Sequence, residues 1–505
     1  MPNLQITVAQ QTQVVECAEN ELLGTMIAQA NLSLELPCAG RGTCGKCKVI
    51  AEGALSTLDD IEQKYLLMAE RDANVRLACR AKVIGDAQVT LMPIVVYSSK
   101  IFTHSSAFRS NDDPLGLAID LGSTTVAAFL VSLKTREVYS GGAALNQQTI
   151  FGADVISRLG VAEKNAVKLS ALAQASIYQA IQSLKLSKRV LARIERVVIV
   201  CNSAMHHLLM RMPVHTLAAF PFQPFQSEAT SNVGQFFGNL FPSQSRVALP
   251  PLIGGFVGSD STACLAFFGY DHVTAPLLAI DLGTNGEVMA TDGRGNILVT
   301  STAAGPAFEG VNISCGTRAV DGAIIDARVE QGQLQVTTIG NRIAIGVTGS
   351  GLLSLIYTLR SMGAINARGR LIRDGQGIGE IPISGEVRLT QWDVRELQKA
   401  KAAIRVAVDI LLERLKIAPG NLSRVILTGS FGGQLNLDAV LGLGLIPEIA
   451  REKIELVANG AGFGAAMFLR DEGFAVGNEL ATRAKHIELD ADPEFNTRYV
   501  GAMGL

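Results

Sequence analysis

An α/β body preceded by a smaller α+β unit is the fold class the sequence predicts, and two observations predict it. PCAGRGTCGKCK, residues 37–48, places three cysteines within ten residues among glycines, and the flanking stretches alternate apolar and polar residues as strands do. AIDLGSTT at 118–125 and AIDLGTNG at 279–286 repeat one pattern. Each is an apolar strand, a tight turn of Asp, Gly and hydroxyl or amide side chains, and then a second strand. A chain of 505 residues, 48% hydrophobic, has room for three or four units with cores of their own.

The bulk properties exclude several classes. The formal charge is -2 and no run of Lys or Arg stands out, so nucleic acid is not an expected partner. The start, MPNLQITVAQQTQVVE, alternates like a strand and lacks the layout of a signal peptide. No apolar run reaches the roughly 18 residues of a membrane span, so the expectation is a soluble, cytoplasmic protein without a membrane partner. Of the eight cysteines, Cys17, Cys201, Cys264 and Cys315 are scattered among apolar or small residues and read as buried thiols.

The other four, Cys38, Cys44, Cys47 and Cys79, are spaced C-x5-C-x2-C-x31-C. Zinc sites usually pair two short knuckles. Here one loop carries three sulfurs and the fourth stands alone, the arrangement of ferredoxins that hold a 2Fe-2S cluster. Zinc and reactive thiols are the alternatives. Gly40, Gly42 and Gly45 let the loop bend and aim N–H groups at sulfur. In order, strands at QITVAQ and TQVVEC, a helix ELLGTMIAQA, the loop, a strand KCKVIAEG, a helix TLDDIEQKYLLM and strands around VRLACRAKVI and AQVTLM complete the unit. It resembles the β-grasp ferredoxin domain, with a spacing similar to the adrenodoxin type, and is expected over 1–93. The Ser-rich, polar stretch that follows reads as a linker, 94–115.

Beyond the linker, a carboxylate at a strand end suits Mg2+ held through water, and the following Gly and Ser/Thr supply N–H and O–H donors for phosphate. A single such turn is often only a hairpin; two in corresponding positions are stronger evidence. They resemble the phosphate-1 and phosphate-2 elements of the acetate and sugar kinase, heat-shock chaperone and actin superfamily. GGFVGSDSTACLAFFG (254–269) and NGAGFGAAMFL (459–469) resemble its two connecting helices, whose small residues let them cross closely, and RVILTGSFGGQLN (424–436) its adenosine element. The expected body is a duplicated RNase H-like (actin-like ATPase) α/β domain, with subdomains over 116–276 and 277–505.

The resemblance implies ATP and Mg2+ as cofactors beside the 2Fe-2S cluster. Asp120 and Asp281 would hold the cation through water, and Gly122, Ser123, Thr124, Gly283, Thr284 and Asn285 would cradle phosphates. Asp260 or Glu287 would orient the attacking water, with a structural salt bridge or cap as the alternative role. Gly305 and Glu309, on the turn STAAGPAFEG, and Gly429, Ser430, Gly432 and Gly433, on the adenosine turn, are further contact candidates. IGVTGSG (345–351) is a contact or simply a loop. The amphipathic helix expected over 394–416 reads as core packing beside the adenosine turn, with Lys401 as an optional nucleotide contact.

A ferredoxin fused to this ATPase fold resembles the reductive activators of corrinoid proteins. The likeness rests on LNQQTIFGADVISRL (145–159), CNSAMHHLL (201–209), DLGTNGE (281–287) and TAAGPAFEGVNISCGTRAVDGAI (302–324), and on the helix at 391–416. It implies ATP-dependent passage of one electron through the cluster to the Co(II) corrinoid of a methyltransferase system, restoring Co(I). Clusters of this type lie about 400 mV below zero and the family's cobalt couple lies lower. Each roughly 59 mV is about 1.4 kcal/mol, a gap that nucleotide-driven domain closure can cover. The implied partners are the corrinoid protein and an upstream low-potential reductant.

Longer members of the family carry an additional domain where this chain has only a linker, which leaves a homodimer open. His206 and His207 read as core or helix-polarity residues, with a role facing the corrinoid protein as the alternative. Pro213 to Phe256, with six prolines and seven phenylalanines, reads as a covering loop or a docking surface. Rival functions are an ATP-driven donor to another low-potential acceptor and a redox-sensing nucleotide-binding protein. A plain kinase would leave the ferredoxin without a task.

Overall fold

The computed structural model describes residues 2–8, 11–30, 32, 34, 36, 38, 40–43, 45, 47–66, 71, 74–91, 112–152, 154–429 and 435–505. Cys44, the linker residues 94–111, and Ser430, Gly432 and Gly433 lie outside them.

The N-terminal unit is one five-stranded sheet. β1 (Asn3–Val8) and β2 (Gln11–Glu16) form a hairpin, and β1 also runs parallel to β5 (Val83–Leu91). β3 (Lys48–Leu55) and β4 (Val75–Leu77) extend the sheet beyond β5, giving the order β2-β1-β5-β3-β4. α1 (Leu23–Gln29) lays Leu23, Met26 and Ile27, at helical spacing, onto this sheet. α2 runs Asp60–Tyr65, shorter than the sequence suggests, because Leu66 turns extended while the Asp59–Glu62 capping box sets the start. The Glu62 side chain is fully buried and takes both Arg76 Nε at 2.9 Å and Nη2 at 2.8 Å, as well as the Leu77 N–H at 2.9 Å, which locks α2 to β4 just ahead of Cys79.

The body contains the repeat twice. In the first half β6 (Leu115–Leu121), β7 (Thr125–Ser132) and β8 (Val138–Leu145) are antiparallel, and β9 (Ile194–Cys201), β11 (Arg246–Leu249) and the short β10 (Thr230–Ser231) extend the other side, in the order β10-β11-β9-β6-β7-β8. In the second half β12 (Leu277–Leu282), β13 (Gly286–Thr291) and β14 (Ile297–Thr302) repeat the meander. β15 (Arg424–Thr428) and β16 (Ile454–Leu456) flank β12, and β17 (Ala484–His486) closes the far edge, so β16-β15-β12-β13-β14-β17 repeats the first order at its centre. β6 and β12 are central strands covered on both faces, which is why LGLAIDL and LLAIDL are nearly continuous apolar runs.

Helices separate and cover the sheets. α3 (Val155–Ser183) and α4 (Ser203–Met210) pack outside the first sheet, and α6 (Gly349–Ser361) and α7 (Gln391–Arg414) outside the second. α5 (Ser259–Phe267) and α8 (Gly460–Met467) lie between the sheets in a shared core. A Cβ on Gly464 would stand 2.0 Å from the Ala263 carbonyl oxygen, so the two helices cross at backbone contact, as the small residues predict. α7 starts at Gln391, where Thr390 and Asp393 form a reciprocal cap. It packs on the second hairpin, where a Cβ on Gly286 would meet Ile404 at 2.9 Å.

Candidate functional site

The two repeated turns face each other across the gap between the sheets. Gly122–Thr124 joins β6 to β7; the Gly122 N–H donates to the Thr125 carbonyl at 3.1 Å, and a Cβ at Gly122 would sit 2.6 Å from that same oxygen. Gly283–Asn285 joins β12 to β13, and the Gly283 N–H donates to the Asn285 carbonyl at 3.2 Å. The Thr124 and Thr284 hydroxyls donate to one oxygen of Glu309, at 2.8 and 2.6 Å. A cavity of about 110 Å³ opens between the turns.

The structure brings together most of the residues named from sequence. Asp120, Gly122, Ser123, Thr124, Asp260, Asp281, Gly283, Thr284, Asn285, Glu287, Glu309 and Gly429 all line the cavity. Gly305 does not; its N–H donates to the Thr284 carbonyl at 2.9 Å and so supports the second turn from behind. The 345–351 stretch also lies elsewhere, with Thr348 capping α6. Lys401 does not line the cavity; it is buried and its Nζ donates to the Gly504 carbonyl, so it packs in the core and does not serve as a nucleotide contact.

Electrostatics give the cavity its character. Five carboxylates, Asp120, Asp260, Asp281, Glu287 and Glu309, meet there, and no Lys or Arg is among the described residues that line it. Burial pushes Asp120 well above its ordinary range, and Asp260 and Asp281 push it further. Burial lifts Asp281 to about 6 and Asp260 to about 7. Glu287 is raised well above its ordinary value by burial and then by Asp260. Asp260 accepts the Ser261 N–H at 2.7 Å and Glu287 accepts the Ser301 hydroxyl at 3.2 Å, and among the described residues neither has a cationic partner. Such a donor set fits a divalent cation. Among the described residues no three His, Cys, Asp or Glu side chains stand close enough to share one metal ion directly.

Sequence reasoning missed three asparagines. Asn202 donates to the Ser123 hydroxyl at 3.0 Å and caps α4. Asn459 lines the cavity, caps α8 from a left-handed conformation with φ 43°, and hydrogen-bonds Asp120. Asn146 donates through Nδ2 to the Gly122 carbonyl at 2.9 Å. Each sits at an element's start inside a quoted motif, and that position was the available signal.

In the N-terminal unit, Cys38, Cys47 and Cys79 are all buried, at 7, 1 and 4% exposure. The Cys79 N–H donates to Cys47 Sγ at 3.4 Å. Hydrogen bonding with Cys47 holds the Cys79 thiol below its ordinary value, the direction a ligand thiolate needs, and the Gly42 N–H acts the same way. Gly45 has φ 64° and a Cβ there would stand 2.7 Å from Tyr65 Cβ, so the loop is wrapped as tightly as a cluster cradle requires. The described sulfurs and donors therefore fit a 2Fe-2S group, with Cys44 left to complete the set.

His206 and His207 are both fully buried, which settles them as core residues. His207 Nδ1 meets the Ser203 carbonyl at 2.7 Å and its Nε2 accepts the Phe225 N–H at 3.0 Å, pinning the Pro-rich segment to α4. That segment covers the first half with Phe237 and Phe241 buried, while Phe220 and Phe225 are exposed.

Comparison with known proteins adds the following. Residues 6–83 match the family described as 2Fe-2S iron-sulfur cluster binding domain, 115–272 the RACo middle region, and 275–505 the C-terminal domain of RACo, the ASKHA domain. The corrinoid activation enzyme RamQ of Eubacterium limosum is 31% identical over 440 residues, covering 81% of this chain and 73% of that protein. The [Co(II) methylated amine-specific corrinoid protein] reductase of Methanosarcina barkeri is 24% identical over 419 residues, covering 76% of each. A solved reductive activator for a corrinoid, iron-sulfur protein superposes with a TM-score of 0.72 at 23% identity, over 99% of this chain and 98% of that one, which speaks for the fold. No helix among the described residues is long and apolar enough to cross a membrane.

Proposed function

Because the chain belongs to the family of corrinoid activation enzymes, we propose that it uses ATP to pass one electron through its N-terminal 2Fe-2S centre to the Co(II) corrinoid of a partner protein, returning it to Co(I). The fold is the ferredoxin domain followed by the actin-like ATPase domain. The observation that carries the reading is the presence, in one chain, of a thiol cradle and a two-turn phosphate cleft. Either alone would be a carrier or a hydrolase; together they join an electron to a source of work.

The residues divide the task. Cys38, Cys44, Cys47 and Cys79 would hold the cluster, which supplies a one-electron couple when bound. The N–H and O–H groups of Gly122–Thr124 and Gly283–Asn285 would bind the phosphates from two sides. Asp120 and Asp281 would hold Mg2+ through water, and the cation would neutralise phosphate charge in a cleft lined by no Lys or Arg among the described residues. Asp260, lifted to about 7, is balanced near neutrality as a general base for water requires. Glu287 would hold water beside it. Adenosine would lie beyond Gly429.

Nucleotide need not meet the electron: closure of the halves on ATP need only favour the complex in which cobalt is easier to reduce. Such a protein works in the cytoplasm, where ATP and an upstream low-potential reductant are available, and a homodimer is compatible with it.

The test is anaerobic visible spectroscopy of the reconstituted protein with a Co(II) corrinoid protein and a reductant. A Co(I) band that forms only with Mg-ATP supports the reading. A reducible cluster with no ATP-dependent Co(I) from any corrinoid partner removes it.

A further inference from the structure

The stretch LNQQTIFGADVISRL has no place in the cleft or the cysteine loop, yet it touches the supports of both. Its Asn146 backbone N–H donates to the Thr124 carbonyl at 2.8 Å and its Nδ2 to the Gly122 carbonyl at 2.9 Å, so both sides of the first phosphate turn hang on one residue. The 3-10 turn Gln147–Phe151 follows directly. It is bolted to α3: the Gln147 N–H donates to Ser176 Oγ at 2.8 Å and Gln148 Nε2 to the Leu169 carbonyl at 2.9 Å. At its far end the Thr149 hydroxyl donates to the Leu34 carbonyl at 3.4 Å, and Ile150 packs against the core of the N-terminal unit. Leu34 stands four residues before Cys38.

The same stretch carries polar groups that this arrangement leaves unmet. Among the described residues, both amide atoms of Gln147 and one terminal nitrogen of Arg158 are buried without a hydrogen-bond partner. Arg158 is fully buried; its Nε donates to the Gly152 carbonyl at 3.1 Å and its Nη1 reaches Gln148 Oε1 only at 3.5 Å. A turn braced on α3, anchored to the first repeated turn at one end and to the N-terminal unit at the other, can carry a displacement between them.

We propose that the Asn146–Phe151 turn couples the nucleotide cleft to the seating of the ferredoxin unit. Phosphate entering between the turns moves Gly122 and Thr124, Asn146 follows because it holds both carbonyls, and the turn, being braced on α3, carries the displacement to Thr149 and Ile150. The contact with the cysteine-bearing unit is then made or released with the nucleotide state. This rests on the activator function proposed above and supplies the link between its two halves.

The test is hydrogen exchange on the full-length, cluster-loaded protein, following the amides of Leu34 and Leu36 with and without Mg2+ and a non-hydrolysable ATP analogue. In the wild type the nucleotide changes their exchange rate at least threefold. In Ile150→Glu that response disappears, while the cluster spectrum and ATP turnover stay within twofold of wild type. Ile150→Ala, which removes the packing without adding charge, shows a reduced response and serves if the glutamate unfolds the segment. An unresponsive wild type, or a full response in the folded variant, overturns the coupling. Co(I) formation without an exchange response overturns the coupling alone, whereas an exchange response without Co(I) formation overturns the activator reading and leaves the coupling standing.

Discussion

The hydroxyl oxygens of Thr124 and Thr284 lie 3.1 Å apart although 160 positions separate them in the chain. Both donate to the same oxygen of Glu309, so the shared carboxylate holds the two repeated turns together. The cleft is thus tied from both halves by one acid, which a sequence repeat alone could not reveal. Glu309→Ala should untie the turns. Hydrogen bonds to a charged group contribute about 1.5–3 kcal/mol each, so ATP turnover should fall about tenfold or more while the cluster spectrum is unchanged. Wild-type turnover in this variant would show the tie to be idle.

Protons should compete with the cation. Asp281 and Asp260 are lifted to about 6 and about 7, so at pH 6 they retain protons that Mg2+ must displace, whereas at pH 8 they are already ionised. Binding of Mg-ATP should release protons at pH 6 and fewer at pH 8, and affinity should rise over this interval by up to about tenfold per pH unit for each proton released. Calorimetry in two buffers of different ionisation enthalpy measures the protons directly. Equal proton release at the two pH values would remove these carboxylates from the site.

The two halves of the function should separate by mutation. Cys44→Ser or Cys79→Ser should lose the cluster absorbance and Co(I) formation while nucleotide still binds. Asp281→Ala should keep the absorbance and lose ATP-dependent reduction. Full electron transfer without either cysteine would overturn the ligand assignment, and unaffected ATP turnover in Asp281→Ala would clear that residue of its role.

The buried Glu62–Arg76 pair should carry the stability of the N-terminal unit. Glu62→Ala leaves a buried guanidinium unpaired, a loss of about 3–5 kcal/mol, whereas replacing both partners by apolar residues should cost less. Thermal loss of cluster absorbance reports the N-terminal unit, and tryptophan fluorescence from Trp392 reports the body. The first transition should fall in Glu62→Ala and the second stay in place.

Much of this protein was legible residue by residue. The spacing of Cys38, Cys44, Cys47 and Cys79 and the repeated Asp-x-Gly turns were readable because each motif is short and its chemistry depends on local backbone shape. Asn146, Asn202 and Asn459 were not, since each acts on a turn from another part of the chain. Lys401 and Gly305 show the reverse: plausible ligands by type, they are engaged elsewhere by carbonyls that only folding brings near.

The sequence by itself determined the elements: continuous apolar strands, small-residue helices, a glycine-wrapped cysteine loop and two turns with phosphate-binding chemistry, all set by interactions within a few residues. Only the tertiary structure decided that Glu309 would bridge Thr124 and Thr284. Only it decided that five carboxylates would line one cavity, with Asp120, Asp260, Asp281 and Glu287 lifted together by burial, and that Gln147–Phe151 would reach the N-terminal unit. The physical reason is range. Backbone preference and side-chain periodicity act locally, whereas desolvation, charge coupling and hydrogen bonding between distant segments exist only once the core has brought those segments together.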